Sequence, residues 1–201
     1  MTISYPVTPP SSPTPSSVKW TELNVVGVAA SPYTLQRQVF EWDGGAWGLD
    51  VSFDPMDRAQ AQPWIAFLSS LRGPVGTFYF GDELLKTPLG ASGGTPKVKG
   101  ASQTGYTLDT DGWPNSTLVL KAGDMFQIDN ALYRNVKDAT TNSSGEVTLD
   151  VWPYLRTHSD NANIITSSPK GVFRLTDNAI ETQDAGRDML WRIDFKAIEA
   201  R

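Results

Sequence analysis

Residues 37–82 read RQVFEWDGGAWGLDVSFDPMDRAQAQPWIAFLSSLRGPVGTFYFGD and contain the succession of elements that decides the fold. Apolar residues alternate with small or polar ones from Trp47 through Leu49 and Val51 to Phe53. This period of two predicts a strand with one buried face. The stretch therefore predicts a strand with one buried face and one small or polar face.

Two further strands are predicted on either side of this one. Phe40 and Trp42 alternate just before it, and Asp43-Gly44-Gly45 between the two alternating segments predicts a hairpin turn. At the other end, Phe78-Tyr79-Phe80 predicts a short aromatic strand that ends at Gly81-Asp82. We expect all three to contribute to one sheet.

A helix is predicted between these strands. Its apolar residues recur at i, i+3, i+4 and i+7, which makes one stripe on a helix: Trp64, Phe67, Leu68 and Leu71. Asp57 is the predicted N-cap, and Gly73-Pro74 ends the helix. Pro63 predicts either a kink or a start close to Pro63 itself.

The remaining chain adds strands, which makes the fold mainly β with one helix, an α+β arrangement. Residues 117–151 alternate strand and turn signals and predict a small β-unit. A last strand at about 188–199 has Met189, Trp191, Ile193, Phe195 and Ala197 on one face. We therefore predict a β-domain of residues 18–82 plus 176–201, split by an inserted β-domain of residues 83–175.

Residues 1–17 form a different kind of segment. They carry five prolines among serines and threonines, and such a composition has little to bury. We predict a flexible arm in the isolated chain that can lie on a neighbouring subunit.

Composition excludes several classes of function. The chain has a net charge of -5 and a pI of about 4.8, so general nucleic-acid binding through phosphate contacts is disfavoured. It has no cysteine, which removes disulfides, thiolate zinc sites and cysteine nucleophiles. No signal peptide is recognised at the N-terminus, and no run of about 18 apolar residues predicts a membrane span.

Candidate chemical sites are few. His158 is predicted to be a solvated loop histidine, because no nucleophile motif accompanies it. Asp109-Thr110-Asp111-Gly112 resembles the start of a calcium loop, but Leu120 stands where a bidentate glutamate is needed, so a turn is predicted. A glycan hydrolase would need two carboxylates, with Asp50, Asp54 and Asp57 as candidates. The favoured alternative is that Asp54 and Asp57 serve the turn and the helix cap.

Two tryptophans precede prolines in polar surroundings, Trp113 before Pro114 and Trp152 before Pro153. If exposed, they could stack on a sugar. They are therefore the glycan-contact candidates of an alternative function, a carbohydrate-binding module for attachment to a host. Local packing of each Trp against its Pro is the competing interpretation.

The stretch 37–82 and the closing strand resemble a known family, the distal tail and lambda-type minor tail proteins of long-tailed bacteriophages. The resemblance is carried by Gln36-Arg37-Gln38, by Gly76-Thr77-Phe78-Tyr79-Phe80 and by Leu190-Trp191-Arg192-Ile193-Asp194-Phe195. The middle of the chain resembles the insertion found in many prophage tail proteins. The N-terminal arm departs from the family pattern.

This resemblance implies a split β-barrel hub domain interrupted by a small inserted β-domain, and a structural role in the virion. It implies a ring, usually hexameric, at the tail tip, made in the bacterial host cytoplasm. Its partners are the tail tube protein and the tail-tip hub and tape-measure proteins, and DNA passes through its lumen without specific binding. No catalytic residues, cofactors or metal sites carry over, so no enzyme is expected.

The expected core and interface follow from this interpretation. The aromatic face is predicted to be core: Trp47, Trp64, Phe78, Phe80 and Trp191. Interface residues are then expected on polar strand faces and on the arm, with Arg37, Asp50, Arg192 and Asp194 as candidates.

Overall fold

The computed structural model describes residues 3–179 and 190–201, and these are mainly β with a single α-helix. The strands are β1 Ser17–Leu23, β2 Val26–Ala30, β3 Arg37–Glu41, β4 Ala46–Ser52, β5 Phe78–Phe80, β6 Lys97–Val98, β7 Thr107–Asp111, β8 Leu118–Leu120, β9 Met125–Ile128, β10 Ala131–Asn135, β11 Ala139–Thr140, β12 Val147–Trp152, β13 Ile164–Ile165, β14 Gly171–Leu175 and β15 Asp194–Glu199. The helix α1 is Arg58–Leu71, and short 3-10 turns cover Gly73–Val75 and Glu83–Leu85.

A five-stranded antiparallel sheet has the order β1-β4-β15-β14-β5. Strand β4 lies between β1 and β15, and its alternating burial confirms the predicted face of Trp47, Leu49 and Val51. Ile193, Phe195 and Ala197 are also buried as predicted, although regular pairing begins only at Asp194; Met189 lies outside the described residues. One face of this sheet therefore supplies the first core.

Helix α1 covers that face. Its predicted stripe is buried, and Trp64 contacts Phe53 with ring centroids 4.5 Å apart. The predicted cap is confirmed: Asp57 Oδ1 accepts a 2.8 Å hydrogen bond from Gln60 N, and Gln60 Oε1 accepts one from Asp57 N. Pro63 lies inside the helix, so the alternative start near Pro63 is wrong. The helix ends at Arg72, which adopts the left-handed conformation.

Replacing Asp57 by alanine is expected to lower the free energy of unfolding by about 1 kcal/mol, because the backbone N–H of Gln60 loses its carboxylate acceptor. Urea denaturation measures the change. Asp54→Ala is the matched control: Asp54 is also exposed and precedes the helix, but it is not the cap. Equal losses in the two variants would contradict the capping role.

The barrel-like part of the fold is the second sheet, with the order β13-β9-β10-β12-β7-β6. Its ends meet, because Val98 N donates to Ala162 O at 3.0 Å and Ile164 N donates to Pro96 O at 3.0 Å. The sheet is therefore nearly closed around its own apolar cluster. The family resemblance implied a barrel in residues 18–82 plus 176–201, and there the structure has an open sheet instead. The closing contacts join segments about 65 residues apart, and no local pattern reports them.

The predicted boundary at residue 175 also differs from the pairing. The predicted insertion ends at residue 175 and so includes β14, but Phe173 pairs with Phe78 of β5 and with Glu199 of β15. The strand belongs to the five-stranded sheet. Alternation predicts a strand but does not identify its partner, which explains the difference.

The N-terminal segment is placed, whereas the sequence predicted a flexible arm. Residues 3–17 run along the helix and the edge of β5, where Val7 bridges Phe78. Tyr5 donates its hydroxyl to Ser70 O at 2.7 Å, and Trp64 Nε1 donates to Pro13 O at 3.1 Å. A Cβ at Gly76 would lie 2.6 Å from the Tyr5 ring, so the glycine makes room for this contact. These contacts involve residues distant in sequence, so the composition of the segment does not predict them.

Trp47 joins the two sheets. Its ring is fully buried, and Nε1 donates to Leu132 O of β10 at 2.9 Å. Trp20 and Trp152 meet it edge-on at 5.4 and 4.4 Å, and the Arg134 guanidinium lies 4.7 Å from the ring centroid. The Trp47 ring is therefore a central contact between β4 and the barrel-like sheet.

A buried ion pair lies beside this junction. Glu199 of β15 has a fully buried side chain, and Oε1 lies 2.6 Å from Arg156 Nη2 without the angle of a hydrogen bond. The second oxygen accepts a 3.4 Å hydrogen bond from Trp47 N. Burial raises the pKa of the Glu199 carboxyl, and the Arg156 charge opposes that rise.

Candidate functional site: a projecting hairpin

Strands β1 to β4 form one long antiparallel ribbon with a break in the middle. Leu23 pairs with Ala46 at the end of the part within the sheet, and Val26 pairs with Glu41 at the start of the part beyond it. The sequence predicted that Asp43-Gly44-Gly45 turns β3 back onto β4. Instead, these residues carry the chain across the break, and β3 pairs with β2. We call residues 24–42 the projecting hairpin.

The projecting hairpin exposes apolar residues on both faces. Its register and the strand pleat place Val26, Val28 and Val39 on one face, where Val28 is 58% exposed. The other face carries Phe40 and Trp42, and Trp42 is 55% exposed. Neither face belongs to an apolar cluster of the described residues.

The absence of a side chain at Gly27 makes room for the aromatic ring of Trp42 on this face. Trp42 lies across Gly27, where an added Cβ would be 2.7 Å from Trp42 Cη2. A side chain at Gly27 would therefore displace the ring. The strand sequence Val-Gly-Val-Ala-Ala has low polarity and no charge, which fits an unsolvated contact better than a solvent-facing strand.

The tip of the hairpin is the most exposed apolar part. Tyr33 is 94% exposed and Leu35 is 80% exposed. Ser31 organises the turn, because its Oγ accepts from Tyr33 N and Thr34 N, and its carbonyl accepts from Leu35 N at 3.0 Å. The two apolar side chains are thus presented by an ordered turn.

The base of the hairpin is held by the barrel-like sheet. Tyr106 donates its hydroxyl to Glu41 Oε1 at 2.6 Å, and this hydrogen bond, more than burial, raises the pKa of Tyr106 to about 12. Trp152 Nε1 donates to Asn24 Oδ1 at 2.8 Å. A Cβ at Gly45 would lie 3.1 Å from Pro153 Cβ. The ribbon therefore leaves the body of the protein from fixed contacts on both strands.

The charge of the hairpin is also distinctive. Between residues 24 and 40 the one charged side chain is Arg37, which is exposed near the tip. Glu41 at the base balances Arg37, and the whole chain carries -5, so the hairpin of residues 24–42 is a neutral element on an acidic protein. Apolar area and weak charge together are typical of an association surface.

The interface candidates do not form one site. Arg37 lies on the projecting hairpin. Asp50 and Asp194 lie on the outer face of the five-stranded sheet. In the strand register Asp50 lies opposite Lys196, and Asp194 lies opposite Ser52. Arg192 is exposed just before β15. Whether any of them contacts another subunit stays a prediction.

Neither glycan-contact candidate, Trp113 or Trp152, has the exposed ring that stacking on a sugar would require. Trp113 is 4% exposed, and its Nε1 donates to Thr110 Oγ1 at 2.8 Å inside the barrel-like sheet. Trp152 is half-buried against Trp47. Packing thus accounts for both rings, and neither offers a free face comparable to that of Trp42. The glycan alternative is left without the exposed rings that it required.

His158 is buried, so its prediction as a solvated loop residue is wrong. Its Nε2 lies 2.8 Å from the Tyr133 hydroxyl, and its Nδ1 lies 2.9 Å from Asp129 Oδ2. Tyr133 also accepts from Arg156 N at 3.0 Å, and burial raises its pKa to about 12. These partners are distant in sequence. The network fixes the segment after β12 to β10, inside the protein.

The other candidate chemical residues have structural positions. Asp109 and Asp111 lie in strand β7 rather than in a turn, with Gly112 following at a φ of +76°. Asp57 caps α1, and Asp54 is exposed before it.

Sequence reasoning missed the residues that make the hairpin distinctive: Val28, Tyr33, Leu35 and Trp42. Alternation at Phe40 and Trp42 was a usable signal, but it was interpreted as a strand that the turn at Asp43-Gly44-Gly45 folds back onto β4.

The chain matches no protein-family model and no curated protein. Among residues 3–179 and 190–201, none of the helices has the length and apolar character needed to cross a membrane.

Proposed function

We propose that this chain is a structural virion protein of a long-tailed bacteriophage that forms a ring at the distal end of the tail tube. The ring joins the tube to the tail-tip hub and central fibre and surrounds the channel for DNA. The protein acts by assembly and has no catalytic role. The proposal has two grounds. Residues 37–82 and the closing strand resemble this family, and the projecting hairpin is a surface suited to assembly.

The hairpin is the observation that carries the proposal. A two-stranded ribbon on its own is marginally stable in water, because it buries little apolar surface. Here such a ribbon keeps Val28, Val39, Phe40 and Trp42 exposed on its two faces. Contiguous exposed apolar surface marks protein association, and a ring provides a cover for it on every subunit.

The division of the chain supports the same proposal. The five-stranded sheet and α1 share one apolar cluster, and the barrel-like sheet encloses most of another. The barrel-like sheet lies between β5 and β14 in the chain. Under this proposal it is the inserted β-domain, and the five-stranded sheet with α1 is the hub domain.

Charge fits the partners that the proposal names. A net charge of -5 disfavours retention of DNA, which must pass the lumen without specific binding. The tail tube protein, the hub and the tape-measure protein are the neighbours of such a ring. The chain is made in the bacterial cytoplasm and acts at the tail tip of the virion.

Negative-stain electron microscopy of the purified chain tests the proposal. We expect closed rings, of about six copies, with a central channel. Particles of single-chain size at every concentration, also after mixing with the tail tube protein of the same phage, would contradict a ring-forming role.

A further inference from the structure

The five-stranded sheet has two edges, and they differ. The β5 edge is covered, because Val7 N donates to Thr77 O at 2.9 Å and Tyr79 N donates to Val7 O at 3.0 Å. At the opposite edge, β1 pairs with β4 and with no other strand of the described residues. An open edge of seven residues is a template for pairing with another chain.

The barrel-like sheet offers less edge for pairing, because the contacts of Pro96 and Val98 with Ala162 and Ile164 bring its ends together. Among the described residues, the projecting hairpin and β1 therefore have strand edges that are both unpaired and exposed to solvent. Within residues 3–179 and 190–201, strands β2 and β3 pair with each other alone, and each keeps one edge free.

The projecting hairpin cannot pair with the β1 edge of its own chain. Strand β2 follows β1 after two residues, Asn24 and Val25, and the pairing β2–β3 continues the pairing β1–β4 in one ribbon. The hairpin extends away from β1 along this ribbon. The β1 edge that it can pair with belongs to another molecule.

We propose that the projecting hairpin of one copy adds to the open β1 edge of a second copy and extends its five-stranded sheet. The partner is this chain, and the proposal rests on the proposed assembly function. Main-chain hydrogen bonds of β2 or β3 supply the pairing, and the apolar side chains of the hairpin pack against the second copy. Two different surfaces meet, so the contact is head-to-tail and generates a ring when its rotation closes.

The charge of the hairpin is compatible with this partner. The hairpin carries one positive and one negative side chain, Arg37 and Glu41, so it is neutral, whereas each molecule has a net charge of -5. Two copies of an acidic protein repel each other, and a contact through a neutral element adds no further repulsion. The apolar faces of the hairpin can then stabilise the contact between two copies, with little charge to oppose it.

Engineered disulfides test this pairing cleanly, because the chain has no cysteine of its own. We mix a Val39→Cys variant, which reports on β3, or a Val28→Cys variant, which reports on β2, with a Thr21→Cys or a Lys19→Cys variant under oxidising conditions. Residues opposite each other on paired strands lie about 5 Å apart, within disulfide reach. We expect a covalent heterodimer with at least one β1 position. Val75→Cys is the control, since Val75 is 71% exposed outside the hairpin, and we expect no crosslink to β1.

The possible results separate this inference from the proposed function. Rings in the microscope without a crosslink from Val39 or Val28 to β1 would overturn the edge pairing and leave ring formation standing. A disulfide of Val39→Cys with itself alone would show that hairpins pack on each other, which also overturns it. Single-chain particles with no crosslink would overturn both.

Discussion

Replacing Trp47 by alanine is expected to lower the free energy of unfolding by about 3–5 kcal/mol. The ring is fully buried, so its removal leaves a large cavity where the two sheets meet. It also deprives the Leu132 carbonyl of the 2.9 Å hydrogen bond from Nε1 and leaves Trp20 and Trp152 without their edge-on partner. Urea denaturation followed by far-ultraviolet circular dichroism measures the loss.

Two variants control this prediction. Trp47→Phe keeps most of the apolar volume but removes the indole donor, so an intermediate loss of about 1–3 kcal/mol is expected. Trp42→Ala removes the same side chain from the projecting hairpin, where it is 55% exposed, and is expected to change stability by about 0.5 kcal/mol or less. Similar losses for Trp47→Ala and Trp42→Ala would contradict the assignment of Trp47 to the junction.

Replacing Arg156 by methionine is expected to cost about 3–5 kcal/mol at pH 7, because the Glu199 carboxylate then stays buried without its counterion. Glu199→Gln is expected to cost less. The neutral amide still accepts from Trp47 N, and Arg156 keeps some contact with water, its side chain being 25% exposed. The double variant is expected to recover part of the loss. Urea denaturation of the three variants measures these differences.

The effect of Arg156→Met is expected to depend on pH. Burial raises the folded pKa of Glu199 above its usual value of 4.5. Its contribution to stability is therefore fully present below pH 4.5 and is lost as pH rises through the folded pKa. Removing Arg156 raises that folded pKa further, so the penalty should shrink from pH 7 towards pH 5. A penalty that is constant over this range, or that persists in the Glu199→Gln background, would contradict the buried-pair account.

Local patterns predicted the elements that bury one face against one core. The period-two face of β4, the stripe of α1 and the capping role of Asp57 were all correct, because each depends on neighbouring residues. The barrel closure at residues 96–98 and 161–164 and the partners of His158 depend on contacts between distant segments. Spacing along the chain contains no information about them.

The hairpin shows a second limit of sequence patterns. Phe40 and Trp42 alternate as core residues do, and their strand was predicted to fold back onto β4. The structure exposes them, because their strand lies beyond the sheet. Alternation reports that a face is apolar but not whether its cover comes from the same chain. Trp113 gives the converse case, since its polar neighbours suggested exposure and its ring is buried.

The native mass of the chain in solution tests the central claim most directly. Light scattering over a range of concentrations and salts is applied to the wild type and to two variants. These are a Val28→Glu/Val39→Glu double variant in the hairpin and Val75→Glu, which changes an exposed valine elsewhere. We predict a closed oligomer, of about six copies, for the wild type and for Val75→Glu, and a folded monomer for the double variant. A wild type that stays monomeric, or a double variant that keeps the oligomer, would contradict assembly through the projecting hairpin.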